Sequence, residues 1–351
     1  MENQANGLGK VNKKLTSVEK ATSTILKNIP VLSSHEELVL NSLGKTLAKP
    51  VTALLSNPPS DVSSMDGYAL KNSDIDNGVL EFTVIDESVA GKSSSKTVAT
   101  MQTVRIFTGA KIPHGADRVI LQEDIKRLGN NLIKINKNKL ENNNFFIRKT
   151  GMDFKLGEKL IDKGEVLNTR NISLCVASGN SWVTIRRKPK IGIISTGNEL
   201  LKFGEIQNSK NNDKIISSNG IFLFNFINQL GGEAFILPTA KDDIKSLTNI
   251  LDEANDLDLI ISSGGASVGD YDIVQRALEK NNFELLFWRI AMRPGKPLFF
   301  GLLDKIPFLG LPGNPVSTGV CSIIFLTKII QKFFGRQISE NIAMMRVNCS
   351  L

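Results

Sequence analysis

The chain has 351 residues, is 41% hydrophobic and 22% charged, and carries a formal net charge of +8; this is enough for two or three globular domains, and no stretch reaches the ~18 apolar residues of a membrane span. Three cysteines without a CxxC pair and only two histidines, His35 and His114, argue against a disulfide framework, a zinc site and a Ser-His-Asp triad. Its lysines are dispersed rather than interleaved with aromatics, so nucleic acid is not the expected partner; the polar start MENQANGLGKVNKK lacks an apolar h-region, so a cytoplasmic protein is expected, with no membrane partner.

Apolar spacing predicts a helix over 17–29, SVEKATSTILKNI, with Ser17 as its N-cap. A second is predicted over 35–48, HEELVLNSLGKTLA, capped by Ser33 or Ser34. From Gly67 to about Thr150 six short runs (YAL, VLEFTVID, TVRIFTG, DRVILQED, NLIKINK, NFFIRKT) predict a mostly β region. Within it the polar segment GKSSSKTVAT, 91–100, reads as a mobile loop. TRNISLCVASG predicts a helix that packs back on the first two, which makes the β region an insertion. Cys175, Cys321 and Cys349 are expected to pack as small hydrophobes.

From Lys190 strands and helices alternate: IGIIS, NGIFLFNFINQLG, EAFILP, DDIKSLTNILDEAN, LDLIIS, DIVQRALEKN, FELLFWRI. A hairpin, PLFFGLL with IPFLGLP, and a long last helix, PVSTGVCSIIFLTKIIQKFF, complete the series. This rhythm predicts a parallel, doubly wound sheet, whose ligands bind beyond the carboxyl ends of the strands. Four such ends are distinctive: TGNEL, SGGASVGDYD, AMRPGKP and LPGNP. Gly264, Gly265 and Ser267, and Gly313 with Asn314, let backbone N–H groups approach a phosphate. Any one of these loops alone would read as a tight turn. Arg293 and Lys296 flank a Pro-Gly turn and suit an oxyanion. Glu199, Asp242 or Asp243, and Asp270 stand near three strand or loop ends; several carboxylates around an anionic ligand point to magnesium. In the β half, Thr108 ends a strand with a hydroxyl suited to an oxyanion, Asp66-Gly67 reads as a turn pair, and His114 as an exposed loop residue.

The motifs SSMDGYA, FTGAKIPHGAD, TGMDF, STGNEL, SSNG, SSGGASVGDYD, RPGKP and LPGNPVS follow one another in order between about 15 and 334. By them the chain resembles the molybdopterin molybdenumtransferase family, the MoeA and gephyrin E-domain type. The resemblance implies a multidomain α/β fold: a MoaB/Mog-like doubly wound domain over 187–335, an inserted mostly β domain over 53–153, and an elongated helical N-terminal region built from 14–52 and 154–186. The family continues past the last helix into a small β-barrel, so 336–351 is read as a truncated tail.

The activity implied is the Mg2+-dependent reaction of adenylyl-molybdopterin with molybdate to give molybdenum cofactor and AMP. A homodimer is implied too, with the site between the α/β domain of one copy and the β domain of the other, and so is a contact with the molybdopterin adenylyltransferase. Carried over motif by motif, the catalytic set is Asp66, Thr108, Asp153, Glu199, Asp242, Asp270, Arg293 and Lys296. Glu199, Asp242 and Asp270 are the magnesium candidates. Thr196, Gly197, Asn219, Gly264, Gly265, Ser267, Gly269, Pro312, Gly313 and Asn314 are the candidates to line the molybdopterin nucleotide. Two other readings use the same α/β fold: adenylylation of molybdopterin, against which the β insertion argues, and a carrier that binds the pterin without turnover.

Overall fold

A computed structural model of the chain describes residues 15–140, 144–197, 200–201, 215–238, 256–264 and 282–338. Helix α1 (Val18–Lys27) starts where predicted, because the Ser17 hydroxyl accepts from the Lys20 N–H at 3.2 Å. Lys20 stands where a capping box would need Glu, so the cap is single. Ala21 and Ile25 form its buried face.

The predicted second helix is not formed. Ser34–Leu38 is strand β1, followed by a 3-10 turn at Val39–Asn41. The reason is a distant partner, the β-branched and aromatic run Trp182–Arg186, against which β1 pairs antiparallel from Ser34↔Arg186 to Leu38↔Trp182. Leu40 and Leu43, which gave the helical spacing, are 80% and 59% exposed.

Next come the short strands β2 (Val51–Thr52) and β3 (Val62–Ser63), then β4 (Gly67–Leu70), helix α2 (Asn72–Asp76), β5 (Glu81–Ser88), β6 (Gln102–Ile106), β7 (Arg118–Leu121), β8 (Ile125–Arg127), β9 (Leu132–Ile135) and β10 (Ile147–Arg148). Six of them form one sheet in the order β7-β4-β6-β5-β9-β8. Only the β5–β6 pairing is parallel. One face buries Tyr68, Leu70, Phe82, Ile120, Ile133 and Ile135; the other buries Ala69, Ile106, Ala110, Ile112 and Val119. Segment 91–100, expected to be mobile, is pinned instead. Ser94 Oγ donates to Asp86 Oδ2 at 2.6 Å, Lys96 Nζ to the Ile85 carbonyl at 2.6 Å, and the Val98 N–H to the His114 carbonyl at 2.8 Å.

The chain returns through β11 (Lys159–Ile161), which pairs with β2, then helix α3 (Thr169–Ala177) and β12 (Trp182–Arg186). α3 opens on a capping box in which Asn168 and Asn171 each accept from the other's N–H. A separate core of Val39, Leu47, Val51, Ile161, Leu167, Cys175, Val183 and Ile185 holds this unit together. The early and late segments thus share one core, and the β sheet is inserted between them.

The last unit contains β13 (Lys190–Ser195), a two-residue pair β14 (Leu200–Leu201) and β15 (Ile215–Ile216), helix α4 (Ser218–Gln229), β16 (Glu233–Ile236), β17 (Leu259–Ser263), β18 (Phe283–Trp288), β19 (Phe299–Leu303), β20 (Ile306–Leu311) and helix α5 (Pro315–Phe333). The predicted helices at DDIKSLTNILDEAN and DIVQRALEKN lie outside the described residues, as does Cys349. The sheet order is β16-β13-β17-β20-β19-β18. Its first four strands are parallel, but β19 runs antiparallel to both neighbours, so the sheet is mixed rather than parallel throughout. The β19–β20 hairpin, already legible in the sequence, causes the reversal.

Contrary to the expectation that no stretch could span a membrane, helix α5 is long and apolar enough to do so by length and composition. Here its Cys321, Phe325, Leu326, Ile329, Ile330 and Phe333 lie in the main core, with α4 and the sheet. Burial pushes the Cys321 thiol up to about 12. α1 joins the same core through Ala21, Ile25, Ile29 and Leu32, and the Leu32 N–H donates to the Phe333 carbonyl at 2.9 Å. Ile25 is 1% exposed. Ile25→Ala should therefore destabilise this core by ~2–5 kcal/mol, seen as a lowered thermal unfolding midpoint, whereas Leu40→Ala should leave the midpoint nearly unchanged.

Candidate functional site

From β13 the chain goes to one side for β16 and to the other for β17, so strand order reverses between β13 and β17. That is where an open α/β sheet leaves a crevice. Ser195 stands beside Ser263 in the register of this pair. The Thr196 N–H donates to the Ser263 carbonyl and the Gly264 N–H to the Leu311 carbonyl, both at 3.3 Å. Three strand ends therefore meet. Gly264, at φ +97°, allows it: a Cβ there would lie 2.7 Å from the Thr196 carbonyl oxygen. Gly313 stacks against it, with room for a Cβ only 3.5 Å from the Gly264 Cα.

The N-terminus of α4 faces the same point. Asn219 Nδ2 donates to Ser263 Oγ at 2.9 Å and to the Gly313 carbonyl at 2.8 Å, and Ser217 Oγ donates to Ser195 Oγ at 3.2 Å. Two hydroxyls at these strand ends, Thr196 Oγ1 and Ser262 Oγ, are buried without a hydrogen-bond partner among the described residues. A buried hydroxyl left unpaired costs about 1–3 kcal/mol. The Ser195 and Ser263 hydroxyls beside the α4 N-terminus suit phosphate oxygens. Gly197 follows in an extended turn whose carbonyl accepts from the Leu200 N–H at 3.2 Å. Pro312 and Asn314 are engaged within the fold: Thr318 Oγ1 donates to the Pro312 carbonyl at 2.6 Å, and Asn314 Oδ1 caps α5 by accepting from the Ser317 N–H at 3.2 Å.

Because β18 is antiparallel to β19 and β19 to β20, the end of β18 reaches the same edge of the sheet. Arg293 and Lys296 sit on the turn that follows. This turn is closed by the Ile290 N–H donating to the Lys296 carbonyl at 3.0 Å and the Leu298 N–H donating to the Gly295 carbonyl at 3.2 Å. Thr16 braces it from the other side, donating to the Arg289 carbonyl at 3.1 Å and accepting from the Ala291 N–H at 2.7 Å. Both cations are exposed, and neither side chain has a hydrogen bond or ion pair among the described residues. Glu199, Asp242, Gly265, Ser267, Gly269 and Asp270 lie outside the described residues. Among those described, no group of three or more His, Cys, Asp or Glu could hold a metal ion.

A second group of predicted residues gathers on the β unit. Asp66 Oδ1 accepts from both the N–H and the hydroxyl of Thr108, each at 2.8 Å. Those two bonds, with the Arg105 charge behind them, hold the Asp66 carboxyl below its ordinary range. Gly67 is not the turn residue expected. It opens β4, and a Cβ there would strike the Ile120 carbonyl of β7. Asp153 is held by Arg148, whose Nη2 donates to its two oxygens at 2.6 and 2.8 Å, and by Asn57 Nδ2 at 3.2 Å.

Asp61 and Arg148 are functional neighbours that the sequence reading missed. Asp61 accepts from Lys149 Nζ at 2.8 Å, the Thr150 N–H at 2.9 Å and the Thr150 hydroxyl at 3.1 Å. The Lys149 bond leads in lowering its pKa. Asp61 thereby fixes the turn that carries Asp153, and the β3–β10 pairing (Ser63↔Ile147) ties that turn to the segment bearing Asp66. The one sequence signal was the clustering of charge and hydroxyls in SDVSS. His114 is exposed, as expected.

Among the described residues no hydrogen bond or ion pair joins 62–148 to 190–338. The predicted site residues thus form two half-sites in one chain: hydroxyls, amides and free cations at the sheet edge, and tethered carboxylates on the β unit.

Two family descriptions match the chain: the MoeA N-terminal region (domain I and II) over residues 16–179, and the probable molybdopterin binding domain over residues 192–332. The molybdopterin molybdenumtransferase of Nostoc sp. is 32% identical over 333 residues, covering 92% of this chain and 75% of that protein. Its counterpart in Haemophilus influenzae is 32% identical over 325 residues, covering 92% and 79%. The crystal structure of the molybdopterin biosynthesis MoeA protein from Pyrococcus horikoshii superposes with a TM-score of 0.81 at 31% identity, covering 92% of this chain and 81% of that one. With relatives of this identity and coverage, and both halves matched, the chain belongs to the molybdopterin molybdenumtransferase family.

Proposed function

We propose that the protein inserts molybdenum in molybdenum cofactor biosynthesis, taking adenylyl-molybdopterin and molybdate to molybdenum cofactor and AMP in the cytoplasm. The observation that carries this reading is the meeting, at the β13–β17 switch, of the Ser195 and Ser263 hydroxyls with the helix N-terminus at Ser217 and Asn219; the same strand ends carry two further buried hydroxyls, Thr196 Oγ1 and Ser262 Oγ, without a partner among the described residues. Phosphate oxygens of the pterin nucleotide are the acceptors this set lacks. Arg293 and Lys296, exposed and braced on their turn, hold molybdate, a tetrahedral dianion. Adenylyl-molybdopterin is received from the molybdopterin adenylyltransferase.

Magnesium is the cofactor in this reading, held by Glu199, Asp242 and Asp270. In the sequence Glu199 follows Gly197 by two positions and Asp270 follows Gly264 by six. The described strand ends offer uncharged hydroxyl and amide donors, which bind anions rather than cations. When bound, magnesium offsets charge on the phosphate oxygens. Asp66, with Oδ1 occupied by Thr108 and its pKa lowered, is a reluctant proton acceptor. Its role is to orient the attacking water or oxyanion as a fixed negative charge. Asp153, held by Arg148, acts likewise.

The half-sites come together across a homodimer. Leu54, Leu156 and Val176 are 58%, 68% and 57% exposed, and the chain around them is contiguous: the Leu54 N–H donates to the Ser178 carbonyl and the Leu156 N–H to Ser56 Oγ. An apolar cluster of this kind suits a covered surface.

Three outcomes are expected. Purified Asp270→Ala protein, still folded by circular dichroism, should release no AMP from adenylyl-molybdopterin in the presence of molybdate and magnesium; near-normal release would sink the assignment. Thr108→Val removes one of the two donors to Asp66, so the Asp66 pKa rises and the acid limb of the pH–rate profile should move to higher pH. Mixing inactive Asp66→Asn and Asp270→Ala proteins and allowing subunits to exchange should restore about a quarter of wild-type activity, because half the dimers are mixed and each mixed dimer has one intact site of two. No recovery would place both half-sites within one copy.

A further inference from the structure

The Asp66–Thr108 pair depends on two backbone turns staying together, and one side chain touches both. Arg105 stands opposite Tyr68 in the β4–β6 register and so lies on the same face of the sheet. Its guanidinium carbon is 4.9 Å from the Tyr68 ring centroid and 4.7 Å from the Phe107 centroid. Arg105 Nη1 donates to the Gly67 carbonyl at 3.0 Å, and Nη2 to Gln122 Oε1 at 2.6 Å. The Gln122 N–H in turn donates to the Asp66 carbonyl at 3.2 Å. Arg105 therefore contacts the residue after Asp66, the residue before Thr108, and the residue that holds the Asp66 main chain.

We propose that Arg105 is a positioning residue for the Asp66–Thr108 pair: its planar fork and its two ring contacts lock residues 66–67 against 107–108, and it acts through that pair. The catalytic meaning of the pair rests on the function proposed above; the lock itself does not. Charge alone is not enough for it. A lysine at 105 keeps the cation but has neither the fixed pair of donors nor a flat surface for the rings.

The test compares wild-type, Arg105→Lys, Thr108→Val and the double variant. The first readout needs no substrate. Hydrogen exchange of the Thr108 amide, which is bonded to Asp66, should quicken ~10-fold or more in Arg105→Lys, while the Val104 amide, inside the sheet, keeps its wild-type rate. An unchanged Thr108 rate, or equal loosening at Val104, overturns the proposal. The second readout is a double-mutant cycle on AMP release at saturating adenylyl-molybdopterin. Arg105→Lys should lower kcat ~10-fold in the wild-type background and less than about 2-fold in Thr108→Val. Equal losses in both backgrounds would show that Arg105 does not act through the pair. Should wild-type protein release no AMP while the exchange result holds, the functional reading fails and the lock stands.

Discussion

The register between β13 and β17 governs where the hydroxyls of the candidate site sit. Ile191 lies beside Leu259 and Ile193 beside Ile261, and all four are fully buried. Ile194 and Ile260 bury the opposite face. With both faces packed, the pairing has no freedom to slip, since a one-residue shift would turn each side chain to the wrong side. The hydroxyls of Ser195, Thr196, Ser262 and Ser263 are simply the next residues along the same two strands. Apolar packing, not polar attraction, sets their positions.

The two half-sites differ in electrostatic character, and the difference fits the reaction. On the β unit every predicted carboxylate is tethered: Asp66 by Thr108, Asp153 by Arg148, and their neighbour Asp61 by Lys149. At the sheet edge the cations Arg293 and Lys296 have no tether among the described residues. In the proposed function this draws the anionic substrate to the α/β side. The β side presents fixed negative groups that orient without competing for the same cations. A single surface with both sets adjacent would neutralise itself before a ligand arrived.

Much of this could be seen in the sequence where local signals and tertiary contacts agree. Ser17 caps its helix because capping is local. Five of the six apolar runs of the β unit became strands of the sheet because alternation and turn residues agreed with it, while NFFIRKT supplied β10, which pairs with β3 instead, and β8 was not foreseen. The reading failed where a remote partner decided. Leu38, Leu40, Leu43 and Leu47 carry helical spacing, yet β12 needs an edge partner, and residues 34–38 supply it. Segment 91–100 looks mobile by composition, but Asp86 and the Ile85 carbonyl are placed to take its serine and lysine donors. Asp61 and Arg148 left no periodic trace, because their partners meet only once β3 and β10 pair. The motif loops were legible as a set, and three of their strand ends do meet at one crevice; the tethering of the carboxylates and the buried hydroxyls without a partner among the described residues were not.

The end of α5 closes back on the start of the chain. Arg336 Nε donates to Thr46 Oγ1 at 2.9 Å across 290 positions of sequence, and Leu32 is bonded to Phe333. The apolar face of α1 is buried only when these late residues arrive. Contacts of such long sequence separation form slowly, since the loop they close must be ordered first. Until α5 is in place, the Ala21, Ile25 and Ile29 face of α1 lacks the partners that bury it in the folded protein. The β unit, whose sheet pairs residues 67–135 with one another, can fold long before that. The order in which the parts become stable is thus not the order in which they are written.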